Sequence, residues 1–211
     1  MQNSKTNTLR LVTSGIFIGL ATVLSMIKVF ALPFGGSITL FSMVPLLILS
    51  YMYGIKWGMF CGIVYGLLQM ILGATMSSAF AGLTGVSILI MALLDYIVAY
   101  LVLGTAGMFK NKLKSHTAAI VLGSIIAILL RLLCHFLSGW ILWGSYATEW
   151  FSNMNNSFSE YMLTNFHGQL LAAAYSLIYN AMYLIPEMII SVIGIVVIMS
   201  IKPLKDKIVN Q

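Results

Sequence analysis

Apolar runs longer than about 18 residues recur from one end of this chain to the other, the signature of helices that span lipid. They fall at about 11–32, 38–53, 55–73, 84–109, 117–143 and 171–201, which makes six spans. The second and third are short and joined by the tight connection "YMYGIKWG". The last two exceed one bilayer crossing, so they are expected to tilt or to run partly outside the lipid. Of the 211 residues 60% are hydrophobic and 8% charged, against about 25% charged in an ordinary soluble domain. That leaves no room for a separate soluble unit. The expected fold is all-α: one polytopic six-helix membrane domain over residues 1–211.

Charge placement sets the orientation. Lys5 and Arg10 precede the first span, and Lys56 sits in the second-to-third turn. Lys110, Lys112 and Lys114 fill the fourth-to-fifth connection, and Lys202, Lys205 and Lys207 follow the last span. The other three connections hold no Lys or Arg. By the positive-inside rule both termini are cytoplasmic, and Glu149 and Glu160 lie on the outer side. The net charge of +6 is then a topology signal, not a nucleic-acid patch. Lys5 and Arg10 also resemble the n-region of a signal peptide. Leu11–Leu32 is long enough to span, however, and no A-x-A-like site closes it, so it is kept as a helix.

Gly54, Gly58, Gly62 and Gly66 recur every four residues, as do Gly15 and Gly19. Such stripes let another helix approach closely, either within the chain, which is favoured, or from a separate subunit. Cys61 and Cys134 fall in expected helices and read as small buried residues rather than a disulfide or metal pair. The polar stretch Thr148 to Phe166 is read as a loop, and the triplet "NNS" within it carries no weight.

Charged groups at mid-helix cost about 2.5–3.5 kcal/mol on insertion scales and mark a pathway or site. Lys28 and Lys56 lie near span ends and can snorkel to headgroups. Asp95 lies about eleven residues into the fourth span, at the depth of the outer half of the fifth. On the fifth, Arg131, His135, Gly139 and Trp143 are each four apart and share one stripe of about 18 Å. Taken singly, Asp95 reads as a structural ion partner of Arg131, His135 as a packing histidine, and Trp140, Trp143 and Tyr146 as an interfacial belt. Glu187, next to Pro186, reads as structural. Together, one carboxylate, one imidazole, one guanidinium and several aromatics at one depth describe a pocket. Such a pocket suits a flat, cationic heteroaromatic, stacked on rings and paired with the acid. Tyr175, Tyr179, Asn180 and Tyr183 add to it from span six, although Tyr175 and Asn180 lie about 140° apart on an ideal helix of 3.6 residues per turn.

In "GGSITLFSMVPLLILSYMYG", "LLDYIVAY", "LLRLLCHFLSGWILWGSYA" and "YSLIYNAMYLIP", in that order and over nearly its whole length, the chain resembles the thiamine-specific substrate-binding subunits (S components) of energy-coupling factor transporters. The resemblance implies an outward-open vitamin pocket in helices four to six, lidded by the first loop. It carries the family's site onto Asp95, Tyr96, Arg131, His135, Gly139, Trp143, Tyr175 and Asn180, with Tyr146 alongside. There are departures. Some members have Glu where this chain has Asp95. A family lid aromatic falls near Gly35 and Gly36, with Phe34 the nearest ring. A second tryptophan is replaced by Thr148, leaving Trp140 as the candidate substitute. Arg131 is then either the partner of Asp95, the favoured role, or the pocket floor.

The sequence contains no G-x-x-x-x-G-K-[ST], so this chain cannot itself use ATP. Energy would come from a coupling module of a transmembrane subunit and two ATPases, as the resemblance implies, docking on the first helix through Gly15 and Gly19. The competing reading is a proton-coupled carrier for a small cationic heteroaromatic, with Asp95 and His135 as relay. An intramembrane enzyme is disfavoured by the lack of H-E-x-x-H, paired carboxylates and G-x-S-x-G. No cofactor is called for.

Overall fold

Helices account for nearly all of the chain in the computed structural model, which describes residues 2–32, 36–76 and 79–211. Their order is α1 (Gln2–Met26), α2 (Val44–Tyr53), α3 (Ile55–Met76), α4 (Val86–Phe109), α5 (His116–Trp143), α6 (Ala147–Met154), α7 (Ser157–Asn165), α8 (Gly168–Ser200) and α9 (Lys202–Val209). Five of them, α1, α3, α4, α5 and α8, are long and apolar enough to cross a membrane, and α2 is a shorter sixth.

The second pass departs from the expected helix over 38–53. An antiparallel hairpin, β1 (Lys28–Ala31) and β2 (Ser37–Thr39), follows α1, which stops at Met26 rather than continuing to residue 32. Only then does α2 begin, with Pro45 in its first turn, where a missing N–H costs nothing. Ten residues rise about 15 Å, half a hydrocarbon core. The short helix α2 is itself sheathed by protein, every residue from Val44 to Met52 being buried, whereas strand β1 before it is exposed along its length. The second correction concerns the stretch 148–166. It holds the helix pair α6 and α7 rather than a loop, with a capping box at Asn156 and Ser159 and a left-handed turn at Asn155.

The glycine stripe of α3 works within the chain. A Cβ on Gly58, Gly62 or Gly66 would strike the carbonyl oxygen of Gly104, Tyr100 or Tyr96, respectively. The two helices therefore meet backbone to backbone in antiparallel register, which fixes the rotation of α4. Gly54, at φ 87°, makes the turn between α2 and α3. Gly15 and Gly19 differ: nothing lies within 4 Å of a Cβ built on either. On the cytoplasmic side Lys110 Nζ donates to the carbonyls of Met52 and Gln211, tying α9's end to α2. Cys61 and Cys134 are buried and unpaired.

Candidate binding site

With its inner half locked against α3, α4 widens over Ala92–Val98 into a π-helical stretch. Such stretches are rare and concentrate at functional sites, because the wider turn re-aims side chains. Asp95 and Tyr96 sit in it. Both line a cavity of about 820 Å³ between α3, α4, α5, α8 and the β-hairpin. All nine residues assigned to the site from the sequence line this one cavity: Asp95, Tyr96, Arg131, His135, Gly139, Trp143, Tyr146, Tyr175 and Asn180.

The polar groups form a continuous network. Asp95 Oδ1 lies 2.9 Å from His135 Nδ1, and Oδ2 accepts from Ser138 Oγ at 2.6 Å. Arg131 Nε donates to His135 Nε2 at 3.3 Å. The two contacts fit a single tautomer, with Nδ1–H directed at Asp95 and Nε2 accepting. Arg131 also donates to Tyr100 Oη at 3.1 Å, with its guanidinium 4.4 Å from the ring centroid, and lies 3.9 Å from Glu187 Oε2. The cluster sets two carboxyl groups, Asp95 and Glu187, around one guanidinium, with His135 Nε2 placed to accept from Arg131. Arg131 and Glu187 are buried and Asp95 and His135 partly so, and Asp95 has no Lys or Arg within ion-pair distance among the described residues.

The expected Arg131–Asp95 ion pair is therefore corrected. His135, one turn further out on α5, stands between the two groups, and Glu187 of α8 supplies the acid at Arg131's depth. Glu187, read from the sequence as structural, is 4% exposed, faces Arg131 and also forms part of the cavity wall. Lys28, exposed on β1, also lines the cavity instead of serving only as a membrane-edge anchor. Gly139 lines the cavity at the α5–α8 contact. The space where its Cβ would be is filled by Ser176 Oγ and Asn180 Nδ2, so this glycine makes room for α8.

The 140° between Tyr175 and Asn180 is accommodated because the cavity runs along α8 from Tyr175 to Glu187, about 18 Å at 1.5 Å per residue. Asn180 Nδ2 donates to the carbonyls of His135 and Ser176, while its Oδ1 accepts from Tyr183. It thus ties α8 to α5 at the level of the network. Trp143 packs on Tyr146 with centroids 6.0 Å apart. Trp140 points elsewhere, donating to Gln169 and stacking on Phe136. The tryptophan that backs the site is Trp150 of α6, edge-on to Tyr175 at 5.2 Å. Sequence reasoning missed it, because a helix in a stretch read as a loop offered no face to assign.

The hairpin closes the outer side. Gly36 N–H donates to Tyr179 Oη at 3.1 Å, and a Cβ on Gly36 would meet the Tyr183 ring at 2.8 Å. Phe34 and Gly35, considered for a lid aromatic, lie outside the described residues. Tyr100, Tyr179 and Tyr183 also line the cavity. Tyr179 and Tyr183 are named with Tyr175 from the sequence; Tyr100 is not, although it lies four residues from Tyr96 on the same helix.

Comparison with known proteins agrees with this architecture. The family model described as thiamine transporter protein (Thia_YuaJ) matches residues 11–172. A curated relative, thiamine transporter ThiT of Bacillus subtilis (strain 168), is 27% identical over 206 residues, covering 90% of each chain. The solved structure of ThiT from Listeria monocytogenes superposes with a TM-score of 0.69 at 22% identity, covering 97% of this chain and 98% of that one. At that identity the likeness speaks for the fold.

Proposed function

The chain belongs to the thiamine transporter family, as a multi-pass bacterial membrane protein and a substrate-binding component rather than an enzyme, and from that premise we propose that it captures thiamine in the cavity between α4, α5 and α8, beneath the β-hairpin. One observation carries the assignment of the site: Asp95, on the cavity wall, meets His135 and Ser138 but no Lys or Arg within ion-pair distance among the described residues, the nearby guanidinium of Arg131 faces Glu187 instead, and aromatic faces line the same cavity. Thiamine brings one fixed cation on a flat ring. Asp95 pairs with that charge, and Tyr96, Trp143, Tyr146 and Tyr175 supply stacking surface. His135, Gly139 and Asn180 shape the wall. Arg131 is already engaged by Glu187, Tyr100 and His135, which favours unphosphorylated thiamine over its phosphate esters. The test is titration of the purified full chain with thiamine, following tryptophan fluorescence and heat. Saturable binding supports the assignment; no heat and no fluorescence change would overturn it.

Transport needs an energy source that this sequence, without a P-loop motif, does not carry. ATP-driven import through an energy-coupling module, a transmembrane subunit with two ATPases, meets that need. The surface that suits docking is α1: Gly15 and Gly19 are open to close approach, and Ile16, Leu20 and Val23 beside them are exposed. All of 1–211 then serves as a single binding domain.

A further inference from the structure

Glu187 does more than neutralise Arg131. Its Oε2 stands 3.9 Å from the guanidinium, a charge contact beyond hydrogen-bond range. Its hydrogen bonds come from elsewhere: Oε1 accepts from Thr39 N–H at 2.9 Å and from Thr39 Oγ1. Among the described residues these are the carboxylate's only hydrogen-bond donors. Thr39 is the last residue of β2, buried at 6% exposure, and its hydroxyl also contacts Ser42 Oγ at 2.6 Å. If the hairpin lifts, a buried carboxylate loses both donors at once, and such groups are costly to leave unsatisfied.

The backbone beside this contact is under strain. Phe41, two residues after Thr39, has φ 61°, a region that bulky residues enter only when their surroundings hold them there. Its ring sits against Gly194 of α8, where a Cβ would come within 2.7 Å of Cδ1. The link from hairpin to α2 is thus held to α8 at Gly194 and at Glu187, and the hairpin tip at Tyr179.

We propose that Glu187 is a positioning residue for substrate retention: it latches the β-hairpin over the cavity through Thr39, and Arg131 and His135 join that latch to Asp95. The inference rests on the thiamine-capture reading above. It requires a carboxylate at 187, because an amide can accept from Thr39 but cannot pair with the guanidinium. Closure of the hairpin and occupation of the cavity are then steps on one network, from Thr39 through Glu187, Arg131 and His135 to Asp95.

The test measures thiamine release from the full chain by stopped-flow tryptophan fluorescence, with hydrogen exchange of the hairpin amides alongside. Glu187→Gln should release thiamine about ten-fold faster or more, as expected for weakened hydrogen bonds to a charged group, with the association rate much less affected. Thr39→Val, which leaves both charges in place, should move release the same way by a smaller factor. The double variant should release more slowly than the product of the two single effects predicts, since both weaken the same Thr39–Glu187 contact, one at the acceptor and one at the donor. The amides of Ser37 and Ile38 should exchange faster in each variant. Native release rates in Thr39→Val overturn the proposal, including where Glu187→Gln fails to fold. So does a double variant in which the two effects multiply. If the native chain does not bind thiamine, the functional reading falls. The latch is then decided by exchange alone, and unchanged Ser37 and Ile38 protection in Thr39→Val refutes it.

Discussion

Asp95→Asn removes one charge from the cavity while nearly preserving its shape, so it isolates the electrostatic part of recognition. The carboxylate side chain is 14% exposed and spends its oxygens on His135 at 2.9 Å and Ser138 at 2.6 Å. A ligand cation about 4 Å away, at an effective dielectric near 20, gains about 4 kcal/mol from such a charge. At about 1.4 kcal/mol per decade that is roughly a thousand-fold in affinity. Water at the cavity mouth screens part of it, and the Asn dipole replaces part, so the expected loss is about a hundred-fold or somewhat more. A second consequence must be separated from the first. The Asn side chain offers one oxygen and one NH2 where the carboxylate offers two acceptors, so either the Ser138 hydroxyl turns to accept from the amide or the His135 contact is lost, and with it the Arg131 contact. The assay is therefore a cycle: fluorescence titration of native and Asp95→Asn chains with thiamine, and with an analogue whose thiazolium is replaced by a neutral thiophene. Rearrangement of the network burdens both ligands alike, whereas the Coulomb loss falls on thiamine alone. Equal losses for the two ligands would refute charge pairing at Asp95, and so would a thiamine affinity within about threefold of native, well under one decade or 1.4 kcal/mol.

The remaining predictions probe packing, docking and selectivity. Gly62→Ala drives a methyl into the Tyr100 carbonyl and should cost about 1–3 kcal/mol as an overpacked helix contact, lowering the melting temperature in detergent. Gly15→Ala, with nothing within 4 Å, should leave that temperature unchanged or slightly raised. Gly15→Leu with Gly19→Leu should abolish uptake into vesicles reconstituted with the coupling module while thiamine still binds; lost binding would contradict this division of labour. Uptake by the chain alone, collapsing with an uncoupler, would favour the proton-coupled carrier instead. Thiamine diphosphate should bind at least about ten-fold more weakly than thiamine in competition, since a phosphate must displace Glu187 from Arg131; equal affinity would place Arg131's donors in the ligand site.

What was legible in the sequence follows from what a single helix determines. The run lengths and the lysine asymmetry are properties of one segment at a time, so the six passes and the shared side of the termini could be read directly. A four-residue spacing likewise fixes which side chains share a face, so Arg131, His135 and Trp143 could be placed along one wall, and matching depths brought Asp95 to it. Pairing across helices is a different kind of information. Whether Arg131 meets Asp95 or Glu187 depends on the rotation of α8 relative to α5, set by Gly139 against Ser176 and by the Asn180 bonds, and no periodicity within α5 encodes that rotation. The π-helical stretch is hidden for the same reason: "ALLDYIV" has nothing local that forbids an ordinary α-helix. It forms where the inner half of α4 is pinned to α3 and the outer half is drawn toward α5 through Asp95, His135 and Ser138. On that account the wide turn is a consequence of two tertiary contacts that an α-helix of fixed rise could not satisfy together. The depth of Asp95 could thus be read from the sequence, whereas the wide turn that presents it to the cavity could not.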